Sequence, residues 1–273
     1  MEQKENNEKK PVVFVSPDYV LPFYPFQLNN SFAVTYTIEK NGKTQILEQN
    51  FDLRWLEPDT KQNDYHFIET KAISSLLING ERINTRAYKM AEKTAELLHP
   101  LRIVVNKYGK WKDLNSYSKL KERWENQKDD IQELFDGKIF MLLVQNIENA
   151  INDDKHLVGL ISGNWFLRAY FNGIHRAYKK NLEREMKLYF PVIAEDEDTE
   201  FLIVQKANLY LNDKNQIEVM QSGVPENEFV KGTYNAKYYL NPVNYIIERL
   251  YLECDLTDLD RKLKVEVKII EED

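Results

Sequence analysis

Leu101-Arg-Ile-Val-Val105, then Tyr108-Gly109, then Trp111-Lys-Asp-Leu114, then a long run ending at Ile151, is the stretch on which the fold turns. The apolar residues before Tyr108 predict a strand, the glycine a tight turn, and Trp111–Leu114 the returning strand. Two helices are predicted next, Asn115–Phe135 and Lys138–Ile151. In the first, Leu120, Trp124, Ile131, Leu134 and Phe135 recur at helical spacing and share one face. Asn115 or Ser116 can cap its first turn, because a short side-chain oxygen accepts an unpaired N–H there. Gly137 stands where a left-handed residue would end it. In the second, Ile139, Phe140, Leu142, Leu143, Val144, Ile147 and Ile151 cover more than half the circumference. Such a helix is expected to be buried on two sides or beneath a sheet. It is too short for a bilayer, which needs about 20 apolar residues. These two helices are therefore expected to form the centre of the core.

Working outward, strand patterns flank the block on both sides. Upstream lie Phe32–Glu39, the hairpin dipeptide Asn41-Gly42, Thr44–Leu56, a turn at Pro58-Asp59, and Tyr65–Ile78 ending at Asn79-Gly80. A helix over 85–98 follows, with Asn84 as its cap and Ala87, Met90, Ala91, Ala95 and Leu98 on one side. Downstream, a short helix before Gly163 gives way to the aromatic stretch Trp165–Tyr178 and then to six strand patterns. These run over Leu182–Phe190, Phe201–Leu211, Ile217–Gln221, Phe229–Leu240, Tyr245–Leu256 and Leu263–Ile270. The last two alternate well: Ile246, Leu250, Leu252, Cys254 and Leu256 share one face, and so do Leu263, Val265, Val267 and Ile269. One face in and one face out marks an antiparallel sheet. The fold class expected is α+β, with curved antiparallel sheet from both chain ends packed around a central set of helices. Residues 1–10 read as a disordered polar tail, 11–30 as an extended Pro/aromatic arm, and 31–273 as a single α+β domain.

The arm has prolines at 11, 17, 22 and 25, which block both a helix and a central strand. Its apolar residues are too many for a solvated tail. It either straps its own domain or docks on another subunit, through Tyr19, Leu21, Phe23, Tyr24 and Phe26.

Composition excludes some functions. With 44 acidic and 37 basic residues the net charge is −7, which disfavours binding to the phosphate backbone of nucleic acids. One cysteine, Cys254, precludes an intrachain disulfide, and its alternation with Leu252 and Leu256 reads as a small buried residue. No apolar signal region opens the sequence, so a cytoplasmic location is expected, although an export route without a cleaved signal leaves no mark. His66, His99, His156 and His175 lack metal-ligand spacing, and His99 is expected to meet the last carbonyls of its helix. The run Glu195–Asp198 reads as a solvated loop, and Asp255, Asp258 and Asp260 lack the glycine and distal glutamate of a calcium loop. Nine glycines and no nucleophile elbow leave no phosphate cradle and no acyl-transfer motif. No metal and no cofactor is expected. In Trp165–Tyr178, with Arg168, His175 and Arg176, aromatics either fill a core or stack on bases, and the acidic background opposes the second.

These readings lead to a non-enzymatic interaction protein or structural subunit of a cytoplasmic assembly, with another protein subunit as partner, held through the arm. An alternative is an apolar-ligand, lipid-like binder with a cavity between sheet and helices, lined by Trp124, Phe140, Trp165 and Phe166. A further alternative is an acidic inhibitor or immunity-type partner. An enzyme of a kind without short motifs stands last.

Overall fold

The computed structural model describes residues 9–15, 18–57, 64–134, 138–192 and 197–271, with the backbone alone for 132–134, 138–140 and 143. In chain order the elements are β1 (Asn29–Lys40), β2 (Lys43–Leu56), β3 (Tyr65–Ala72), β4 (Leu77–Ile78), α1 (Arg86–Leu98), β5 (Leu101–Asn106), β6 (Trp111–Leu114), α2 (Tyr117–Leu134), α3 (Lys138–Asn152), α4 (Asp154–Ser162) and α5 (Trp165–Tyr170). Then follow β7 (Glu183–Phe190), β8 (Thr199–Ala207), β9 (Ile217–Pro225), β10 (Gly232–Leu240), β11 (Ile247–Leu256) and β12 (Arg261–Ile269).

All the strands belong to one sheet, ordered β6-β5-β3-β2-β1-β12-β11-β10-β9-β8-β7, with the two-residue β4 paired to β2. Every pairing is antiparallel. The strands of each end form a meander, and the two meanders join where the first strand meets the last, Phe32 opposite Ile269 and Lys40 opposite Arg261. The sheet is open, with β6 and β7 at its two ends. Asn41 and Gly42 both take positive φ, +50° and +68°, the backbone that lets a two-residue hairpin follow the strand twist.

One face of the sheet is buried, by strict alternation. Phe32, Val34 and Tyr36 of β1 lie in register with Val267 and Val265 of β12 and with Leu250, Leu252 and Cys254 of β11. Cys254 is the small buried residue expected, and burial pushes its thiol up.

The centre of this core is not the pair α2–α3. It is the segment 165–178, in which Phe166, Leu167, Ala169, Tyr170, Phe171, Asn172, Ile174, His175 and Tyr178 are all buried. Asn164 caps α5 by accepting from the Leu167 N–H. The short helix then ends, and the chain continues in extended form, bridging Lys110 next to β6 through Asn172 and accepting at Arg176 O from the Leu21 N–H. Phe166 stacks 5.0 Å from Phe51 and Tyr170 sits edge-on 5.2 Å from Phe32. The aromatic density of Trp165–Tyr178 is thus core packing.

Helices α2 and α4 join the main core through Leu120, Leu157 and Ile161, and Leu98 of α1 packs against it. Trp124, Ile131, Val144 and Leu97 form a separate small cluster. The expectation that α2 and α3 are the core's centre is corrected: Met141 and Leu142 of α3 face solvent, 63% and 52% exposed. An apolar helix was read as doubly buried, but only Val144 and Ala150 of its described side chains are buried. Phe135 and Gly137 lie outside the described residues, as do Pro58, Asp59 and residues 1–8 of the tail. In α1, Thr85 rather than Asn84 is the cap, accepting from the Tyr88 N–H. Its inward residues are Met90, Thr94 and Leu97, spaced four and three apart, while Ala87, Ala91 and Ala95 are exposed. The alanine pattern misled because a methyl group marks neither face strongly. β10 begins at Gly232, and Phe229, placed in that strand by sequence, is 83% exposed in the preceding turn.

Candidate functional site

Two regions bear on function: the arm, and a cavity among the helices. The arm lies along its own chain. Val12 donates to Leu209 O, Leu211 to Lys10 O, Tyr178 to Tyr19 O, and Trp55 to Leu28 O. Val12, Leu21, Pro25 and Leu28 are buried by this course. The prolines account for the geometry, since a segment without those N–H groups is held by a few bonds at intervals rather than by a ladder. Of the five residues proposed for docking, Leu21 is fully buried, and Phe23 is half-buried between the imidazoles of His66 and His175, 5.4 and 5.0 Å away. Tyr19, Tyr24 and Phe26 face outward at 38%, 46% and 58% exposure, and Tyr24 and Phe26 stack at 6.5 Å.

The cavity lies between α1, α2, α3, α4 and the start of β5, with a volume of about 490 Å³. Leu97, Leu98, Leu101, Leu120, Ile147, Ala150, Ile151, Leu157, Leu160 and Ile161 supply apolar walls. The polar lining is Thr94, His99, Asn146 and Asn164. Thr94 Oγ1 donates to Met90 O within its own helix, and Asn164 is spent on the α5 cap. His99 does not cap α1 with its side chain, as sequence had suggested; its Nδ1 lies 3.3 Å from the Thr70 carbonyl. Burial lowers its pKa, outweighing the Thr70 hydrogen bond, and the positive charges of Arg123 and Lys71 act in the same direction as burial. The imidazole is therefore neutral at pH 7, and no formal charge faces the cavity. A space of this size with mostly aliphatic walls suits a hydrocarbon body better than a charged one.

None of the sequence-proposed lining residues with described side chains forms this wall. Trp124 lies behind it, 1% exposed in the small cluster with Leu97. Trp165 packs 5.6 Å from Tyr36 and donates from Nε1 to Pro191 O at 2.5 Å. Phe166 is sealed in the sheet core. The side chain of Phe140 lies outside those described. Large aromatics drew attention, whereas the cavity is walled by leucines, isoleucines and one alanine on helices that do not fully interlock. Leu157, Leu160 and Ile161 of this wall were legible in the sequence only as a short helix before Gly163.

Other sequence candidates have structural duties. Of the acidic run, Glu197 is exposed in the loop as expected, while Asp198 is half-buried and pairs with Arg168 at 2.5 Å; Glu195 and Asp196 lie outside the described residues. Asp258 accepts from the Lys231 N–H and Asp255 pairs with Lys262.

A feature sequence reasoning missed is a polar hub inside the sheet core. Asn172 Nδ2 lies 2.6 Å from Tyr238 Oη and 3.1 Å from Gln221 Oε1. Gln221 donates back to Asn172 Oδ1 at 3.2 Å and to Gln205 Oε1 at 2.7 Å. Gln205 donates to Ile174 O and Tyr178 Oη. Tyr234 donates to Gln221 Oε1, and Tyr238 to Ala169 O. The hub holds the 165–178 segment in one position against β8, β9 and β10. Its signal was Gln205 and Gln221 standing at apolar positions of their alternating strands.

No protein-family model matches the chain, and no curated protein matches it. Among solved structures, a Bacteroides fragilis protein whose name calls it exported, with a YmcC-like fold, aligns over 92% of this chain and 100% of its own at 9% identity. The TM-score is 0.27, too low to carry any inference about fold or function. Among the described residues no helix is long and apolar enough to cross a membrane.

Proposed function

We propose that the protein is a non-enzymatic binder of an apolar, lipid-like ligand, and that the ligand occupies the cavity among α1, α2, α3 and α4. The observation that supports this most is the cavity itself, about 490 Å³ with ten of its lining residues aliphatic. That volume falls within the roughly 300–1,000 Å³ usual for small-molecule sites. The exposed Leu160, which also lines the cavity, gives an apolar ligand a path from the surface. On this reading residues 31–273 act as one α+β domain and 11–30 as its strap. The test is native mass spectrometry and solvent extraction of protein purified from its own cell, repeated on Ile147→Trp, which fills the cavity from a half-buried wall position. A co-purifying apolar molecule present in the parent and lost in the folded variant supports the reading. A ligand-free mass in every preparation of the parent sinks it.

A second reading keeps the arm as a contact for another protein subunit. It is favoured by the outward aromatic pair Tyr24 and Phe26 and by the exposure of Val13 on the same arm. Affinity purification with Tyr24→Ser/Phe26→Ser separates the two readings, because those side chains touch no part of the helical cavity. Loss of a stoichiometric partner in the double variant favours docking; an unchanged set of partners removes it.

A further inference from the structure

On the solvent side of the sheet a trough of about 790 Å³ crosses the strands from β8 to β12. Register lays it down. Val204, Ser222, Asn235, Glu253 and Lys264 stand opposite one another on successive strands and form one outward row. Lys206, Met220, Lys237 and Tyr251 form the next row, two residues along each strand, so both rows point away from the core. Neighbouring strands lie about 4.8 Å apart, and five of them give a trough about 19 Å long. Its floor is low because Val204, Ser222 and Asn235 are short, while Met220, Tyr251 and the lysines beside them are long. Val204 is 41% exposed and Ser222 and Asn235 are exposed, so solvent reaches the floor.

The lining has polar groups to offer and no net charge. Ser222 Oγ and the Asn235 amide have no hydrogen-bond partner among the described residues. Lys206, Lys237 and Lys264 are balanced by Glu183, Glu253 and Glu266. Each of these already has an ion-pair partner: Lys206 has Glu183 at 2.9 Å, Lys237 has Glu218 at 3.4 Å, Lys264 has Glu253 at 3.7 Å, and Glu266 has Lys268 at 3.6 Å. An ionic ligand would have to break one of those pairs, and a neutral one would not. Beneath the floor, Gln221 and Tyr234 face inward from the positions next to Ser222 and Asn235, and both belong to the polar hub. The floor is thereby held in one shape before a ligand arrives, which lowers the ordering cost of binding.

We infer that this trough is a binding site for a neutral, linear oligosaccharide laid across the strands. Sugar hydroxyls donate and accept, as the Ser222 hydroxyl and the Asn235 amide do, and they bring no charge. The C–H faces of the rings rest against Val204, Met220 and Tyr251. The length takes several rings end to end, and a single ring would leave most of it empty. An extended peptide is the other polymer of this shape, but its backbone amides pair with a strand edge, and the trough presents side chains across strands.

The test is calorimetric titration of the full chain with cellohexaose and maltohexaose as neutral probes, glucose as the single ring, the galacturonic acid hexamer as the charged one, and a glycine–serine hexapeptide. One of the neutral hexasaccharides is expected to bind saturably and glucose far more weakly. Asn235→Leu and Ser222→Val, both at exposed strand positions, are each expected to weaken that binding about tenfold, as lost hydrogen bonds in an open site do. No saturable binding of either neutral hexasaccharide, tighter binding of the charged hexamer or of the peptide, or undiminished binding in both variants would each overturn the assignment. None of these outcomes touches the helical cavity, whose occupancy is read separately by mass.

Discussion

Phe166 and Trp124 are both large, both sealed from solvent, and they sit in different kinds of core. Phe166 lies in the extended cluster that runs along the buried face of the sheet, against Phe51, Phe32 and Tyr170. Trp124 lies in a four-residue cluster with Leu97, Ile131 and Val144, one helix away from a cavity. In the first region every strand is bonded to its neighbours and the polar hub is satisfied by its own members, so little can shift. In the second, helices meet through few side chains and leave empty space. The lesson is that burial alone does not rank positions; what surrounds the buried group decides how far the structure can relax around its loss.

The sharpest way to break that contrast is a pair of truncations. Deleting a buried large aromatic costs about 3–5 kcal/mol, with the spread set by how well the site collapses. Phe166→Ala is expected at the upper end and Trp124→Ala at the lower, read from urea midpoints. Equal losses would show that the helical layer is as rigid as the sheet.

Acid gives the next largest effect. Burial pushes the His175 imidazole down to about 4 from 6.5, the Tyr245 carbonyl only partly opposing it. Between those values the unfolded chain binds more protons than the folded one. Stability from this group is therefore fully present above pH 6.5 and is lost as pH falls toward 4, by about 3 kcal/mol in all. Chemical denaturation at intervals across that window should show the slope, and His175→Gln should flatten it. A parent protein equally stable at pH 6.5 and 4 would contradict the burial of that ring.

The smallest effect probes the hub. Asn172→Ala leaves Gln221 and Tyr238 short of partners at buried positions, which costs about 1–3 kcal/mol. Hydrogen exchange in β8–β10 should rise together with that loss. A neutral result would mean that the hub positions the 165–178 segment without stabilising it.

Much of the sheet was readable beforehand. β5, β6 and the turn at Gly109 fell where the alternation put them, and Leu250–Leu256 and Leu263–Val267 faced inward as their period of two required. The helices of the middle block were also readable as helices. Their place was not. The run from Ile139 to Ile151 is apolar enough to suit a core, yet Met141 and Leu142 face solvent. The true centre, Phe166–Tyr178, mixes a six-residue helix with extended chain, so no single period runs through it. The candidate cavity was illegible for a related reason: a void is set by how four helices fail to close on one another, which no one of them encodes.

The sequence by itself determined the local alternatives: which stretches pleat, which coil, and where Asn41-Gly42 and Gly109 turn. It did so because steric limits on φ and ψ and the burial of one face act over a few residues. Only the tertiary structure decided that the first strand pairs with the last, that Asn172 meets Gln221 and Gln221 meets Gln205 in the core, and that Phe23 covers His175. Those are contacts between residues far apart in the chain, and their geometry exists only once the sheet has brought them together.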